Sequence, residues 1–248
     1  MDVTEITVKS ALVRSKIPGV EYVINPYLGC AHGCRYCYAV FMRKYARHHR
    51  ADPWGSFVEV KVNIAEVLRR ELAKKKKPGR VMLASVCDPY QPVEARYRLT
   101  RQCLEALIGH SWGVSILTKS PLVTRDLDLL KDAPDVSVGF SIGTDDERVR
   151  AILEPQAPPI AARIEALRQL HEAGVRTWVF VAPILPLDPE RLFAAIAPHM
   201  DSFMADGLNY AYLVRDLYRK HGWEYALTPA YADEMAAFLL KKWEERGG

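Results

Sequence analysis

TRQCLEALIGH, residues 100–110, followed after Ser111 and Trp112 by GVSILT, residues 113–118, sets the architecture of the whole chain. Thr100 can cap a helix, and Cys103, Leu104, Leu107 and Ile108 recur at the three-to-four spacing of one helical face. Gly113 falls where that helix must stop, and a short β-prone run follows it at once. Outward in both directions the same unit recurs. Strands are expected at 21–25, 80–86, 113–118, 136–141, 176–183 and 202–205. Helices are expected at 37–48, 63–75, 100–110, 123–131, 159–173 and 188–198. Six βα units in series predict an α/β fold with a mostly parallel sheet, here a partial (β/α)6 barrel. Residues 1–20 form a lead-in segment, 21–208 the barrel, and 209–248, with helical stretches at 209–220 and 231–245, a C-terminal helical cap. In parallel barrels the chemistry lies in loops leaving the C-terminal strand ends, so those are the loops to inspect.

Composition narrows the class. The 248 residues are 49% hydrophobic and 26% charged, with no apolar run near the roughly 18 residues a membrane span requires. The first residues lack the continuous apolar core of an export signal, so the chain is placed in the cytoplasm. Three of five cysteines crowd into eight residues while Cys87 and Cys103 stand apart, which is a metal or cluster pattern and not a disulfide framework. The net charge of +4 identifies no nucleic-acid partner, but local clusters say more. Arg43, Lys44, Arg47, His48, His49 and Arg50 lie on the expected basic helix 43–50, and Lys74 to Lys77 form a second run. Either is a solvated face, or the first is a phosphate-binding surface beside the reactive centre.

After the first strand comes NPYLGCAHGCRYCY, residues 25–38, with Cys30, Cys34 and Cys37 spaced Cys-x3-Cys-x2-Cys. Gly29 and Gly33 permit a tight loop in which three thiolates converge. Three thiolates fill three corners of a four-iron cubane and leave the fourth iron open, whereas electron carriers usually supply four. The alternative is a zinc site with His32 as fourth ligand, although zinc motifs usually pair two-ligand knuckles far apart in sequence.

This loop, with an aromatic before its last cysteine, resembles that of the radical S-adenosylmethionine (SAM) superfamily. More narrowly, NPYLGCAHGCRYCYA (25–39), DPYQPVE (88–94), LTR (99–101), TKS (118–120), RDLDLL (125–130) and LEP (153–155) resemble the spore photoproduct lyase-like branch. The resemblance implies a 4Fe-4S cluster on Cys30, Cys34 and Cys37, SAM as cofactor, and a reductant such as flavodoxin or ferredoxin. It further implies reductive cleavage of SAM to a 5′-deoxyadenosyl radical that takes a hydrogen atom from a substrate. Ser85, Lys119 and Ser141 are expected to hold the amino acid end of SAM, since a lysine after an apolar strand answers a carboxylate as a point charge. Tyr36, the backbone beside Tyr38, and Ala182 with Val181 and Pro183 are expected around the adenine.

Candidate catalytic residues follow the second strand. Asp88 and Tyr90, with Gln91 and Glu94, line the barrel mouth or form a rigid turn bracing its rim. In the resembled branch a cysteine just before the strand-two serine returns a hydrogen atom to the repaired thymine, but Ala84 stands there in this chain. Cys87 is a displaced hydrogen donor if the strand extends to it, and otherwise a small buried hydrophobe; Cys103 is core. A non-enzymatic iron-sulfur electron carrier or sensor is the second reading, and it needs no SAM pocket.

Overall fold

A computed structural model describes residues 1–247. Its strands are β1 (Asp2–Ile6), β2 (Val13–Arg14), β3 (Tyr22–Ile24), β4 (Tyr27–Leu28), β5 (Phe57–Lys61), β6 (Arg80–Leu83), β7 (Gly113–Thr118), β8 (Val136–Ser141), β9 (Arg176–Val181) and β10 (Ser202–Ala205). Its α-helices are α1 (Ile64–Leu72), α2 (Glu94–Tyr97), α3 (Leu99–Gly109), α4 (Leu127–Leu130), α5 (Glu147–Leu153), α6 (Ile160–Glu172), α7 (Pro189–Ile196), α8 (Arg215–His221) and α9 (Pro229–Glu245).

The six expected strands pair in parallel and in chain order, β3-β6-β7-β8-β9-β10, and β2 adds antiparallel to the outer side of β3. Register places Leu83 beside Ile116 and Ile116 beside Val138. Every residue of β8 is buried, as befits a parallel strand covered on both faces. Between these strands α1, α3, α6 and α7 bury their apolar faces in a core that runs from Ala11 to Leu239 on α9. Among the described residues no helix is long and apolar enough to cross a membrane.

A second sheet stands outside the expected pattern. In it β5 pairs with β1 in parallel and with β4 antiparallel, so the lead-in segment contributes one strand to each sheet. Segment 37–48 is also not an α-helix. It is a 3-10 helix, Tyr38–Tyr45, and 46–50 leave it. The His48 N–H, which an α-helix would return to residue 44, instead donates to buried Glu59 Oε1 at 2.7 Å. The basic stretch 43–50 is therefore a helix end followed by a turn. Segment 123–131 likewise divides into a 3-10 helix, Pro121–Asp126, and the single turn α4. In 209–220 a short 3-10 turn, Ala211–Leu213, precedes α8, which Gly222 ends at φ 70°. Strand β6 stops at Leu83, short of the expected 86, because Asn25 Oδ1 takes the Ser85 and Val86 N–H groups at 2.9 and 3.0 Å. Ser85 and Cys87 thus lie beyond the strand, and strand alternation does not place them on one face.

Candidate active site

The cysteine loop leaves the C-terminal end of β3 and is clamped from several sides. Gly29 has φ 90°, and a Cβ there would meet the Phe57 carbonyl of β5 at 2.4 Å, so the loop lies directly on the second sheet. Gly33 and Gly55, both at positive φ, touch backbone to backbone: a Cβ on Gly55 would reach the Gly33 Cα at 2.7 Å. Gln91 accepts from Ala31 N at 2.9 Å and donates to Gly29 O at 3.2 Å. Opposite, Arg35 N donates to Leu153 O of α5 at 2.8 Å, and Gln156 N to His32 O at 3.3 Å.

Inside the clamp Cys30, Cys34 and Cys37 are free thiols close enough to feel one another's charge. Burial pushes the Cys30 thiol well up and Cys34 up to about 12, with the neighbouring thiols adding to the rise at Cys30. Burial also raises Cys37, while the Ala39 N–H, Lys119 and the Trp54 side chain pull it back. Two observations bear on which metal group the thiols fit. Ligands of one zinc ion at about 2.3 Å would lie about 3.8 Å apart. Among the described residues the three-ligand group within 4.8 Å is Asp2, His49 and Asp52, whereas the three cysteine sulfurs do not all lie that close to one another, as ligands of one zinc ion would. His32, the alternative fourth zinc ligand, turns its Nε2 to Asp88 Oδ2 at 3.2 Å. The donor set therefore fits a cubane with an open corner. The Asp2 group itself is satisfied internally, since His49 bonds Asp52 at 2.6 Å and Thr4 at 2.9 Å.

Beside the thiols lies a buried charge network. Lys119, just after β7, bonds Ser141 Oγ at 2.6 Å and lies 3.6 Å from Glu154 Oε1. Glu154 also receives the Arg163 guanidinium and the Tyr36 hydroxyl. Arg163 donates to Ser141 O at 3.0 Å, and Ser141 Oγ reaches Ala182 O at 3.2 Å. Burial alone would raise the Glu154 pKa, but Lys119 and Arg163 outweigh it and hold the carboxyl at about 2. The Tyr36 ring lies 5.9 Å below the Lys119 ammonium.

Of the expected cofactor residues, Tyr36, Lys119, Ser141 and Ala182 thus converge, with Cys34 within reach of the Lys119 charge. Ser85 is tied instead to Tyr38, whose hydroxyl donates to the Ser85 carbonyl. Asp88 and Tyr90 are buried. The Asp88 carboxylate accepts from Thr118 Oγ1, Lys119 N and Tyr90 N at 2.7, 2.7 and 2.8 Å; these donors and His32 overcome its burial and hold it at about 2. Gln91 and Glu94 are fully buried as well, and Glu94 accepts from Tyr27, from Thr100 N at 3.0 Å and from Arg125 at 2.8 Å. The 88–94 turn is accordingly built as a brace. Burial raises the partly buried Cys87 thiol to about 12, and its sulfur lies 4.0 Å from Asn25 Oδ1. Ala84 is buried at the end of β6.

Sequence reasoning did not assign Glu154, Arg163, Asn25 or Trp54. The signal for the first was the LEP run, and for the second an arginine at a core position of α6.

A family model described as the radical SAM superfamily matches residues 24–196. An uncharacterised protein of Methanocaldococcus jannaschii is 36% identical over 211 residues, 84% of this chain and 78% of that protein. One of Mycobacterium tuberculosis is 36% identical over 191 residues, 73% of this chain, which spans 56% of its relative. A "Radical SAM Nalpha-GlyT isomerase" of Pseudomonas phage M6 is 28% identical over 163 residues, 65% of this chain and 33% of that protein. Among solved structures, a spore photoproduct lyase variant with bound AdoMet and dinucleoside spore photoproduct superposes with TM-score 0.61 at 21% identity, covering 89% of this chain and 66% of that one. With the family model spanning well over half its length, the chain belongs to the radical SAM superfamily.

Proposed function

We propose that this radical SAM enzyme binds a 4Fe-4S cluster on Cys30, Cys34 and Cys37 and SAM across the Lys119, Ser141 and Glu154 network, and acts on a nucleic acid. When bound, cluster and SAM supply an electron and a 5′-deoxyadenosyl radical that abstracts hydrogen; the chain supplies position and dryness. The observation that carries the reading is the juxtaposition of three clamped thiols with a buried cationic network at adjacent strand ends. In it Lys119 answers the SAM carboxylate, Ser141 orients Lys119, and Tyr36, Tyr38 and Ala182 border the adenine. Residues 21–208 form the catalytic unit, 1–20 and 209–248 its lead-in and cap, a flavodoxin or ferredoxin the reductant, and the cytoplasm its setting.

Nucleic acid is supported by the rim. Tyr38, Phe41, Tyr45, Tyr210 and Tyr212 are exposed, Tyr45 at 58% and Tyr212 at 66%. Tyr38 stacks on Tyr210 with centroids 6.4 Å apart, and Lys44 lies 4.9 Å from the Tyr45 ring. Segments 38–50 and 207–215 contain no carboxylate side chain, while Arg43, Lys44, Arg47, Arg50 and Arg215 give them positive charge. Aromatic rings among cations are the chemistry that holds bases and phosphates together.

Anaerobically reconstituted protein should carry about four irons and release 5′-deoxyadenosine from SAM under reduction. Cys34→Ala should release none, and wild-type release by that variant refutes the ligand set. Binding of an oligonucleotide should weaken steeply with salt, and changing Arg43, Arg47 and Arg50 to Gln should flatten that slope by about one for each phosphate no longer neutralised. Salt-independent or absent binding refutes the nucleic-acid part alone.

A further inference from the structure

We infer that Trp54 is a positioning residue for the cluster: its indole N–H is held against the sulfur of Cys37 and raises the reduction potential of the iron-sulfur centre. The inference rests on reading Cys30, Cys34 and Cys37 as cluster ligands, and it starts from an unpartnered donor. Trp54 Nε1 is buried and has no hydrogen-bond partner among the described residues, a costly arrangement unless something accepts the proton. Trp54, Cys34 and Cys37 line one cavity of about 120 Å³, together with Leu213. The acceptor on the same cavity wall is the Cys37 sulfur.

The surrounding residues fix this aim. Gly55, next in sequence, presses on Gly33 in the middle of the cysteine loop, so the Trp54 backbone cannot drift from the loop. The indole packs edge-on against Phe57 of β5 at 6.0 Å, in a small core that also contains Leu28 and Ala46. Trp54 is thus set by the second sheet and directed into the site.

An N–H donor to a ligating thiolate stabilises the form with more negative charge, which for a cluster is the reduced one. Removing the donor while keeping a ring tests it. In anaerobically reconstituted full-length Trp54→Phe, iron content should match wild type. The EPR-monitored midpoint potential should fall by about 59 mV, a tenfold shift in a one-electron equilibrium. An unchanged potential with a full cluster overturns the inference. If Trp54→Phe fails to load iron, wild type labelled with 15N-indole decides. A 15N coupling to the reduced cluster by pulsed EPR supports the contact, and its absence overturns it. Wild type that never binds iron would instead overturn the ligand reading beneath it.

Discussion

Glu154→Gln removes one charge and almost no volume from a site where that charge faces two cations. The carboxylate is 1% exposed, is bonded by Arg163 and Tyr36, and lies 3.6 Å from Lys119. Holding its pKa at about 2 against an ordinary 4.5 corresponds to about 3 kcal/mol of folding stability at neutral pH, at 1.36 kcal/mol per unit. Removing one partner of a buried pair costs about 3 to 5 kcal/mol by a separate route, so the two bounds agree. The sign follows from a depressed carboxylate. The contribution is complete above the unfolded pKa near 4.5 and is lost as pH falls toward 2. At pH 7 the glutamine variant should therefore unfold about 6 to 12 °C lower, given about 2 to 4 °C per kcal/mol for a chain of this size. The gap should narrow steadily below pH 4.5. Thermal and denaturant melts of cluster-free protein from pH 7 to pH 3.5, analysed for both variants, measure it. A gap below about 0.5 kcal/mol at pH 7, within the range of an ordinary surface substitution, or one that does not change with pH, would refute the assignment of Glu154 as an ionised hub.

Lys119→Ala should leave the iron content intact and weaken SAM binding about 10- to 150-fold, the cost of one charge-assisted hydrogen bond at about 1.5 to 3 kcal/mol; unchanged affinity by calorimetry would leave Lys119 a structural lysine. Because burial keeps the Cys34 thiol protonated, with a pKa of about 12, and raises Cys30 and Cys37 too, loading a cluster from iron and sulfide should expel about three protons beyond those the sulfide itself gives up, at pH 7 in a weakly buffered titration. An excess of fewer than one would contradict thiolate ligation by all three. Wild type should repair spore photoproduct poorly, because Ala84 has no transferable hydrogen; Ala84→Cys should gain repair. Efficient wild-type repair that disappears in Cys87→Ala would reverse that expectation and make Cys87 the donor.

The six parallel strands were legible because each is a short β-rich run followed by a helix of clear period, and β7, β8 and β10 match their expected bounds to the residue. The second sheet was not. FVEVK of β5 places Glu59 fully inside, with Oε1 bonded to His48 N, so the strand lacks an alternating polar face. The β4 strand is two residues long, too short for any period. Segment 43–50 reads as a basic helix because its composition suits one, and only the tertiary hydrogen bond from His48 to Glu59 turns the chain aside. At the site, the cysteines and Lys119 were visible as residue types at strand ends. Glu154 and Arg163 were not, because Glu154 lies just past the end of α5 and Arg163 nine residues on in α6, and they meet only through packing. Asp88 and Tyr90 carry polar groups in a motif near the site, and sequence alone does not say whether such groups face a ligand or the protein; their burial points to the latter.

Hydrogen-bond capacity joins the network to the cofactor reading. An ammonium carries three donors. Among the described residues the Lys119 Nζ hydrogen bond is to Ser141 Oγ at 2.6 Å, while Glu154 at 3.6 Å contributes charge without a hydrogen bond. Glu154 accepts from Arg163 and Tyr36, and Asp88 from Thr118, Tyr90 and the Lys119 backbone N–H; neither takes a hydrogen bond from the Lys119 ammonium. Two Lys119 N–H groups are left beside Cys34 and Cys37, at a strand end, in a largely buried setting where an unmet donor is costly. A carboxylate satisfies both at once. A SAM carboxylate bound there would meet both donors, which is why the lysine that Ser141 orients is the one expected to hold SAM.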